Sequence, residues 1–285
     1  MTNPFPNRAT LESALDVAAR APSAGNAQPW RWRVDDAALH LYADWRRQNG
    51  GSPTARRDVL LSCGAVLDHC AVALAAAGWS PRVRRFPDGR YDTHLAILEV
   101  VEKPPNAMDR ELAGAIPLRR ADRRRFSAQP IPPATVELLY VRAARLGVEL
   151  AVVPRSRWIR REDGTVALHC NDGAREPDDD AILVVLGTRE DNDEMRLRAG
   201  EVLSHLTLTA TAIGLASCPL TEPLNDMRTR LALACEVFEG EAHPQTLIRI
   251  GLPPADDEPT PRTQRRSVNE TTTWTDVSTS SADSP

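Results

Sequence analysis

Apolar residues recur at helical spacing from Thr10 to Arg20, where Leu11, Ala14, Leu15, Ala18 and Ala19 share one face and Thr10 is the expected N-cap. The period then breaks. Ala21-Pro22-Ser23-Ala24-Gly25-Asn26-Ala27-Gln28-Pro29 carries two prolines and a glycine, which predicts a loop of fixed shape. Trp30, Trp32 and Val34 alternate with arginines before Asp35-Asp36 turns the chain, so Arg31 to Ala43 reads as a hairpin. Arg46 to Arg57 is polar and contains glycines, and reads as a loop. Val59 to Trp79 is almost continuously apolar, a helix buried on most sides and ended by Gly78. Val83 to Arg90 and Tyr91 to Glu102 read as a strand pair around Pro87-Asp88-Gly89.

The pattern repeats. Setting Ala9-Thr10-Leu11-Glu12 on Ala134-Thr135-Val136-Glu137 brings Ala18-Ala19-Arg20 onto Ala143-Ala144-Arg145, six identities in twelve positions. Cys63-Gly64-Ala65-Val66-Leu67-Asp68-His69 matches Ala199-Gly200-Glu201-Val202-Leu203-Ser204-His205, and the strand Leu95 to Val101 has its counterpart in Thr246 to Leu252. Three blocks in one order argue for an internal duplication into two α+β halves, 1–106 and 107–268, packed as an intrachain pseudo-dimer. The offset grows from 125 to 136 between the first two blocks, so the second half carries an insertion near 153–180, charged and poor in aliphatics, which reads as a surface loop or lid. The Thr/Ser-rich tail 269–285 is expected to be disordered or draped on the surface.

A chain of 285 residues with 42% hydrophobic content can bury one large core or two fused ones. Its net charge of −4 argues against nucleic acid and acidic membrane as main partners. Lys103 is the one lysine, so nearly all positive charge is arginine; this fits a GC-rich bacterial genome and also sites for planar or phosphate-bearing ligands. Cys63, Cys70, Cys170, Cys218 and Cys235 form no CxxC and no zinc-spaced cluster, so no metal site is expected. With no signal-peptide pattern and no uninterrupted apolar run of the ~18 residues a span needs, the expectation is a reduced, cytoplasmic protein.

Ser23, Asn26 and Gln28 in the first loop can donate and accept hydrogen bonds without charge. Such a loop suits a flat, heteroatom-rimmed ring such as a flavin, or it is a capped turn. Leu118-Arg119-Arg120-Ala121-Asp122-Arg123-Arg124-Arg125-Phe126 holds five arginines within seven residues. On an extended segment Arg119, Ala121 and Arg123 would point one way, and two guanidinium forks on one side would grip a phosphate; the other fate of such a run is a solvated face. No GxGxxG or GxxxxGK[ST] occurs. Asp178-Asp179-Asp180 reads as a strand-start turn, His69 and His205 as duplicated core or interface histidines, and Cys218 as a buried, inert thiol. No nucleophile–base set stands out, so no side chain is assigned as catalytic.

Pro22-Ser23-x-x-Asn26-x-Gln28-Pro29-Trp30 resembles the ring-binding loop of the FMN-dependent nitroreductase superfamily, and Arg119-x-Ala121-x-Arg123 with Phe126 resembles its phosphate-binding motif. The segment from Gly214 to Pro223 is similar to the one that runs past the flavin's redox-active edge, and Pro259-Thr260-Pro261-Arg262 resembles the C-terminal basic motif. A loop in one half and arginines in the other is similar to the Acg-like branch, in which two subunits are fused. The resemblance implies an α+β, nitroreductase-like fold duplicated within one chain, with central antiparallel or mixed sheets flanked by helices. It implies FMN, with Arg119, Arg123 and Arg262 on the phosphate, Pro22, Ser23, Asn26 and Gln28 around the ring, and Thr221 and Glu222 along N5. NAD(P)H would be the electron donor and a nitroaromatic, quinone or similar small molecule the acceptor, in a monomeric pseudo-dimer or a homodimer; the alternative is an FMN-binding or regulatory protein without turnover. The sequence departs from the pattern in three ways. Ala121 stands where the family often has a hydroxyl, Pro223 stands where simpler members offer an N–H near N5, and the segment between the halves is shorter than that branch would have.

Overall fold

The computed structural model describes residues 4–47, 53–89, 93–168, 181–254 and 260–275. The first half comprises α1 (Arg8–Ala18), β1 (Trp30–Val34), β2 (Ala38–Ala43), α2 (Pro53–Ala76), β3 (Trp79–Arg85) and β4 (His94–Glu102). After α3 (Ala107–Ala115) the second half follows: α4 (Pro133–Arg145), β5 (Glu149–Val152), the hairpin β6 (Trp158–Arg160) and β7 (Val166–Leu168), β8 (Ile182–Thr188), α5 (Asp193–Ala212), β9 (Ala216–Leu220), α6 (Met227–Phe238) and β10 (His243–Gly251). The chain then returns to the first half with α7 (Val268–Thr271) and β11 (Thr272–Trp274).

The halves share one topology. Setting aside the β6–β7 hairpin and α6, each runs helix, strand, strand, helix, strand, strand. The sheets are ordered β11-β1-β2-β4-β3 and β5-β8-β10-β9, so the four strands of each half lie in the order first, second, fourth, third. All these neighbours are antiparallel except β11, which pairs in parallel with β1 and makes the first sheet mixed.

The long apolar helices α2 and α5 meet where each carries a glycine. A Cβ on Gly64 would stand 2.0 Å from Leu197 O, and one on Gly200 2.1 Å from Leu61 O. These two positions correspond in the sequence repeat, so the helices touch backbone to backbone about a local two-fold. Beside the crossing, Ser204 Oγ donates to Asp68 Oδ2 at 2.5 Å and lies 2.7 Å from His69 Nδ1, while His205 Nδ1 is 3.6 Å from Asp68 Oδ1. Both histidines are therefore interface groups. Arg56 with Asp193, and Arg85 with Glu201 at 2.6 Å, add ion pairs across the same boundary. By length and composition α2 could cross a membrane, but 78% of its most apolar window is buried in the fold.

Several boundaries differ from the sequence expectation. The N-cap of α1 is Asn7, whose Oδ1 accepts from Thr10 N at 2.9 Å and from the Thr10 hydroxyl at 3.0 Å. Helix α2 starts at Pro53, not Val59, because Arg56 and Arg57 in its polar first turns are bound to the second half. The insertion is not all surface loop: Trp158 is 1% exposed and packs into the second-half core. The disordered tail is corrected for 269–275, which form most of α7 and all of β11. Asp178 to Asp180 and Cys170 lie outside the described residues.

Candidate functional site

The loop between α1 and β1 is fixed from within. Gly25, Asn26 and Gln28 have φ of 56°, 56° and 49°, the left-handed region that only glycine adopts without cost. Gln28 N donates to Ser23 Oγ at 3.1 Å, Asn26 N to Ser23 O at 3.0 Å, and Ala24 N to Ser62 Oγ of α2 at 3.2 Å. Residues 260–275 cross this loop as a strap. Asn26 Nδ2 donates to Gln264 O at 3.1 Å and Arg265 Nη1 to Asn26 Oδ1 at 3.0 Å. Arg266 N donates to Gln28 Oε1 at 2.8 Å, and β11 then joins β1.

The arginine segment is organised by its acid. Asp122 is buried; its carboxylate takes Arg124 N at 2.9 Å, the Arg124 fork at 2.8 Å and the Thr260 hydroxyl at 3.1 Å. Burial alone would push this carboxyl up, but the bonds from Arg124 and Thr260 hold it below the usual carboxylate range. Arg249 of β10 donates to Asp122 O at 3.0 Å and lies over the Phe126 ring at 4.1 Å, tying the segment to the second sheet. Arg119 and Arg123 both line the cavity described below, in different surroundings. Arg119 is buried behind the C-terminus of α3, whereas Arg123 is exposed and pairs with Glu222 at 3.4 Å.

A cavity of about 410 Å³ opens between the loop, the arginine segment, α2, the end of β9 and the strap. That falls inside the usual range for small-molecule sites, about 300–1,000 Å³. Arg20, Arg119, Arg120, Arg262 and Arg265 crowd one end. Burial pushes the Arg119 guanidinium far down from its ordinary value, to about 9, and like charge from Arg265 and Arg120 adds to the shift. Arg120 and Arg265 are lowered likewise, by burial first and then by arginine neighbours. Arg119 donates from Nη2 to Arg20 O at 2.9 Å and keeps Nε and Nη1 buried without a partner. Among the described residues no carboxylate pairs with any of the five. Like charges gathered around the buried Arg119 are costly, and an anion among them would offset that cost.

The cavity is also lined by Asp58 and Ser62 of α2 with Thr221 and Glu222 after β9. Thr221 N donates to Glu222 Oε2 at 3.1 Å, and Pro223 has no N–H, so neither of these two residues offers a free backbone donor. Cys218 is buried nearby; burial raises its thiol to about 11, consistent with an inert role.

Of the residues singled out in the sequence, Pro22, Ser23, Asn26, Arg119, Arg123, Thr221, Glu222 and Arg262 all line the cavity. Gln28 does not: it is 5% exposed, and its amide donates to Asn26 O and accepts from Arg266 N, so it holds the strap instead of facing a ring. The sequence reading missed Arg20, Arg120, Arg265 and Asp58. Arg20 directly precedes the loop and Arg265 lies three residues beyond Arg262, so proximity to the motifs was the available signal.

No family model matches the chain. "Putative NAD(P)H nitroreductase Rv3131" of Mycobacterium tuberculosis is 38% identical over 96% of this chain and 94% of its own length. "Putative NAD(P)H nitroreductase acg" of the same organism is 32% identical over 91% and 94%. A crystal structure described as a putative nitroreductase from Anabaena variabilis superposes with a TM-score of 0.57 at 10% identity, covering 88% of this chain and 90% of that one, a likeness of fold. Identity at this level along nearly the whole length, on a shared fold, establishes that the chain belongs to the nitroreductase superfamily, in its Acg-like branch.

Proposed function

We propose that the cavity holds FMN and that the protein is an NAD(P)H-dependent oxidoreductase of nitroreductase type. The observation that carries this reading is Arg119: a buried guanidinium with two unpartnered N–H groups, lining a cavity beside Arg20, Arg120, Arg262 and Arg265, none of which pairs with a carboxylate among the described residues. That donor set matches the charge and fork geometry of a phosphate. The names of the relatives support the electron donor. When bound, FMN would accept hydride from NAD(P)H and pass it to an electron-poor small molecule such as a nitroaromatic or a quinone. The residues of this chain bind and orient. Arg119, Arg120, Arg262 and Arg265 neutralise the phosphate, and Pro22, Ser23 and Asn26 wall the ring. Both halves contribute to this one site, so a monomeric pseudo-dimer suffices to build it. A small-molecule acceptor met in the cytoplasm, with no role for nucleic acid or membrane, completes the proposal.

A second reading, FMN sequestration or regulation without turnover, is favoured by Thr221 and Pro223: one N–H is occupied by Glu222 and the other does not exist. Purified protein should show flavin absorbance. Bleaching by NAD(P)H without oxygen, followed by recovery with a nitroaromatic or quinone, supports the enzyme. Flavin that stays oxidised under excess reductant supports the binder, and colourless protein that takes up no added FMN refutes both.

A further inference from the structure

The cavity has one acid whose surroundings do not account for it. Asp58 lies on α2, one turn before Ser62, and lines the cavity near Thr221 and Glu222. Its Oδ1 is buried and has no hydrogen-bond partner. The Thr221 side chain is a polar neighbour that favours its charged form. Arg57 is next in sequence but turns its fork to neutral oxygens: Leu224 O at 3.1 Å, Asn225 Oδ1 at 3.0 Å and Thr221 O at 3.5 Å. A buried carboxyl oxygen without a donor or acceptor is costly, and such groups persist where a ligand supplies the missing bond.

We propose that the Asp58 carboxyl hydrogen-bonds the ring edge of the bound flavin and so sets the pH range over which the site holds it. The proposal rests on the FMN reading above and deepens it. The charged neighbours are few. Arg57 lies on the same helix, Glu222 faces Asp58 from the segment after β9, and Arg123 stands beyond Glu222, paired with it. Loop residues 22–26 and Leu203 of α5 bring no titratable group. Burial pushes the Asp58 carboxyl up, Arg57 and Thr221 pull it down, Glu222 pushes it up again, and the balance lies above the usual carboxylate range. A carboxyl that keeps its proton has an O–H to donate, and a flavin ring edge offers carbonyl oxygens and ring nitrogens to accept it. Ionisation would set a carboxylate against those acceptors, so rising pH should loosen the ring.

FMN dissociation constants for the wild-type chain, Asp58→Asn and Thr221→Val across pH test this. The second ionisation of the phosphate, near pH ~6, strengthens binding as pH rises and is common to all three, so it cancels in ratios. The amide of Asp58→Asn hydrogen-bonds without titrating. The wild-type constant divided by that of Asp58→Asn should therefore grow at least about fivefold as pH rises through the ionisation of Asp58, the worth of roughly one hydrogen bond. Thr221→Val removes a polar neighbour that favours the carboxylate, so its profile should shift to higher pH. It also decides the matter if Asp58→Asn does not fold. Parallel profiles for the wild type and Asp58→Asn, or an unshifted one for Thr221→Val, overturn the Asp58 assignment alone. Absence of FMN binding at every pH overturns both this proposal and the flavin reading.

Discussion

Replacing Arg119 by methionine should stabilise the empty protein and cripple the site. Methionine follows the path of the guanidinium stem and removes only the charged head. The drop to about 9 corresponds to roughly 5 kcal/mol of discrimination against the charged form in its present surroundings. Losing the bond from Nη2 to Arg20 O removes about 1.5–3 kcal/mol of this gain. Arg265 Nη2, 3.5 Å from the same oxygen, can move in to satisfy it. A net gain of roughly 2 kcal/mol remains, a rise in Tm of roughly 4–8 °C for a chain of this size. Two charge-assisted bonds to phosphate would be lost at the same time, so FMN affinity should fall by about a hundredfold or more. Differential scanning calorimetry of the flavin-free protein and a fluorescence titration with FMN measure the two effects. The sign with pH gives a further check. The folded value lies below the unfolded one, so the penalty is fully present below about 9 and is relieved as pH rises through it. The gap in Tm between variant and wild type should therefore narrow on the alkaline side. A flavin-free Tm lower than wild type, or an FMN affinity essentially unchanged, would refute the view of Arg119 as an uncompensated buried cation waiting for an anion.

Gly200→Ala drives a Cβ to 2.1 Å from Leu61 O and 2.8 Å from Leu61 Cα, backbone atoms that cannot step aside. It should cost more than about 3 kcal/mol by urea unfolding, whereas Gly114→Ala on α3, with nothing within 4 Å, should cost nothing; equal effects would dismiss the glycine contact. His40 sits in a chain in which Asp35 Oδ2 is 3.0 Å from its Nε2, its Nδ1 is 3.2 Å from His94 Nε2, and His94 Nδ1 is 2.7 Å from Asp88 Oδ2. Burial outweighs the pull of Asp35 and holds His40 below its usual 6.5, so the unfolded chain binds the proton first and stability falls as pH drops through that range. His40→Gln should flatten the difference in urea midpoint between about pH 7.5 and about pH 5.5, and an undiminished difference would count against it.

Periodicity carried the fold where apolar runs were long, as in α1 and α2, and the repeat carried the correspondence of Gly64 with Gly200. It failed where a partner distant in sequence decides. Thr272–Trp274 is too short and polar to read as a strand, and becomes one only because the edge of β1 is open to it. The polar turn that opens α2 read as loop because its helix is held by Asp193 and the 221–225 segment, far away in sequence. In the site, residue types were legible and their orientations were not. A run of arginines looks the same whether Arg119 is buried or solvated. Gln28 looked like a ring contact, yet its left-handed backbone turns it toward the strap. Asp58 fell at the seam between a stretch read as polar loop and the apolar run from Val59, and only the earlier start of α2 places it on the helix at the cavity.

The strap also dictates an order of events. Asn26 is bonded to Gln264 and Arg265 across 238 and 239 positions of chain, and Arg262 and Arg265 supply part of the cation cluster. During synthesis the first half can form its sheet of β1 to β4 long before these residues leave the ribosome, but the anion end of the cavity stays incomplete until they do. If the cavity takes FMN as proposed, full retention would wait until translation has passed the strap. A chain terminated before residue 260 would keep Arg20, Arg119 and Arg120 but lack Arg262 and Arg265 and the bonds that the strap makes to Asn26 and Gln28, so tight retention of flavin would report that synthesis reached that point.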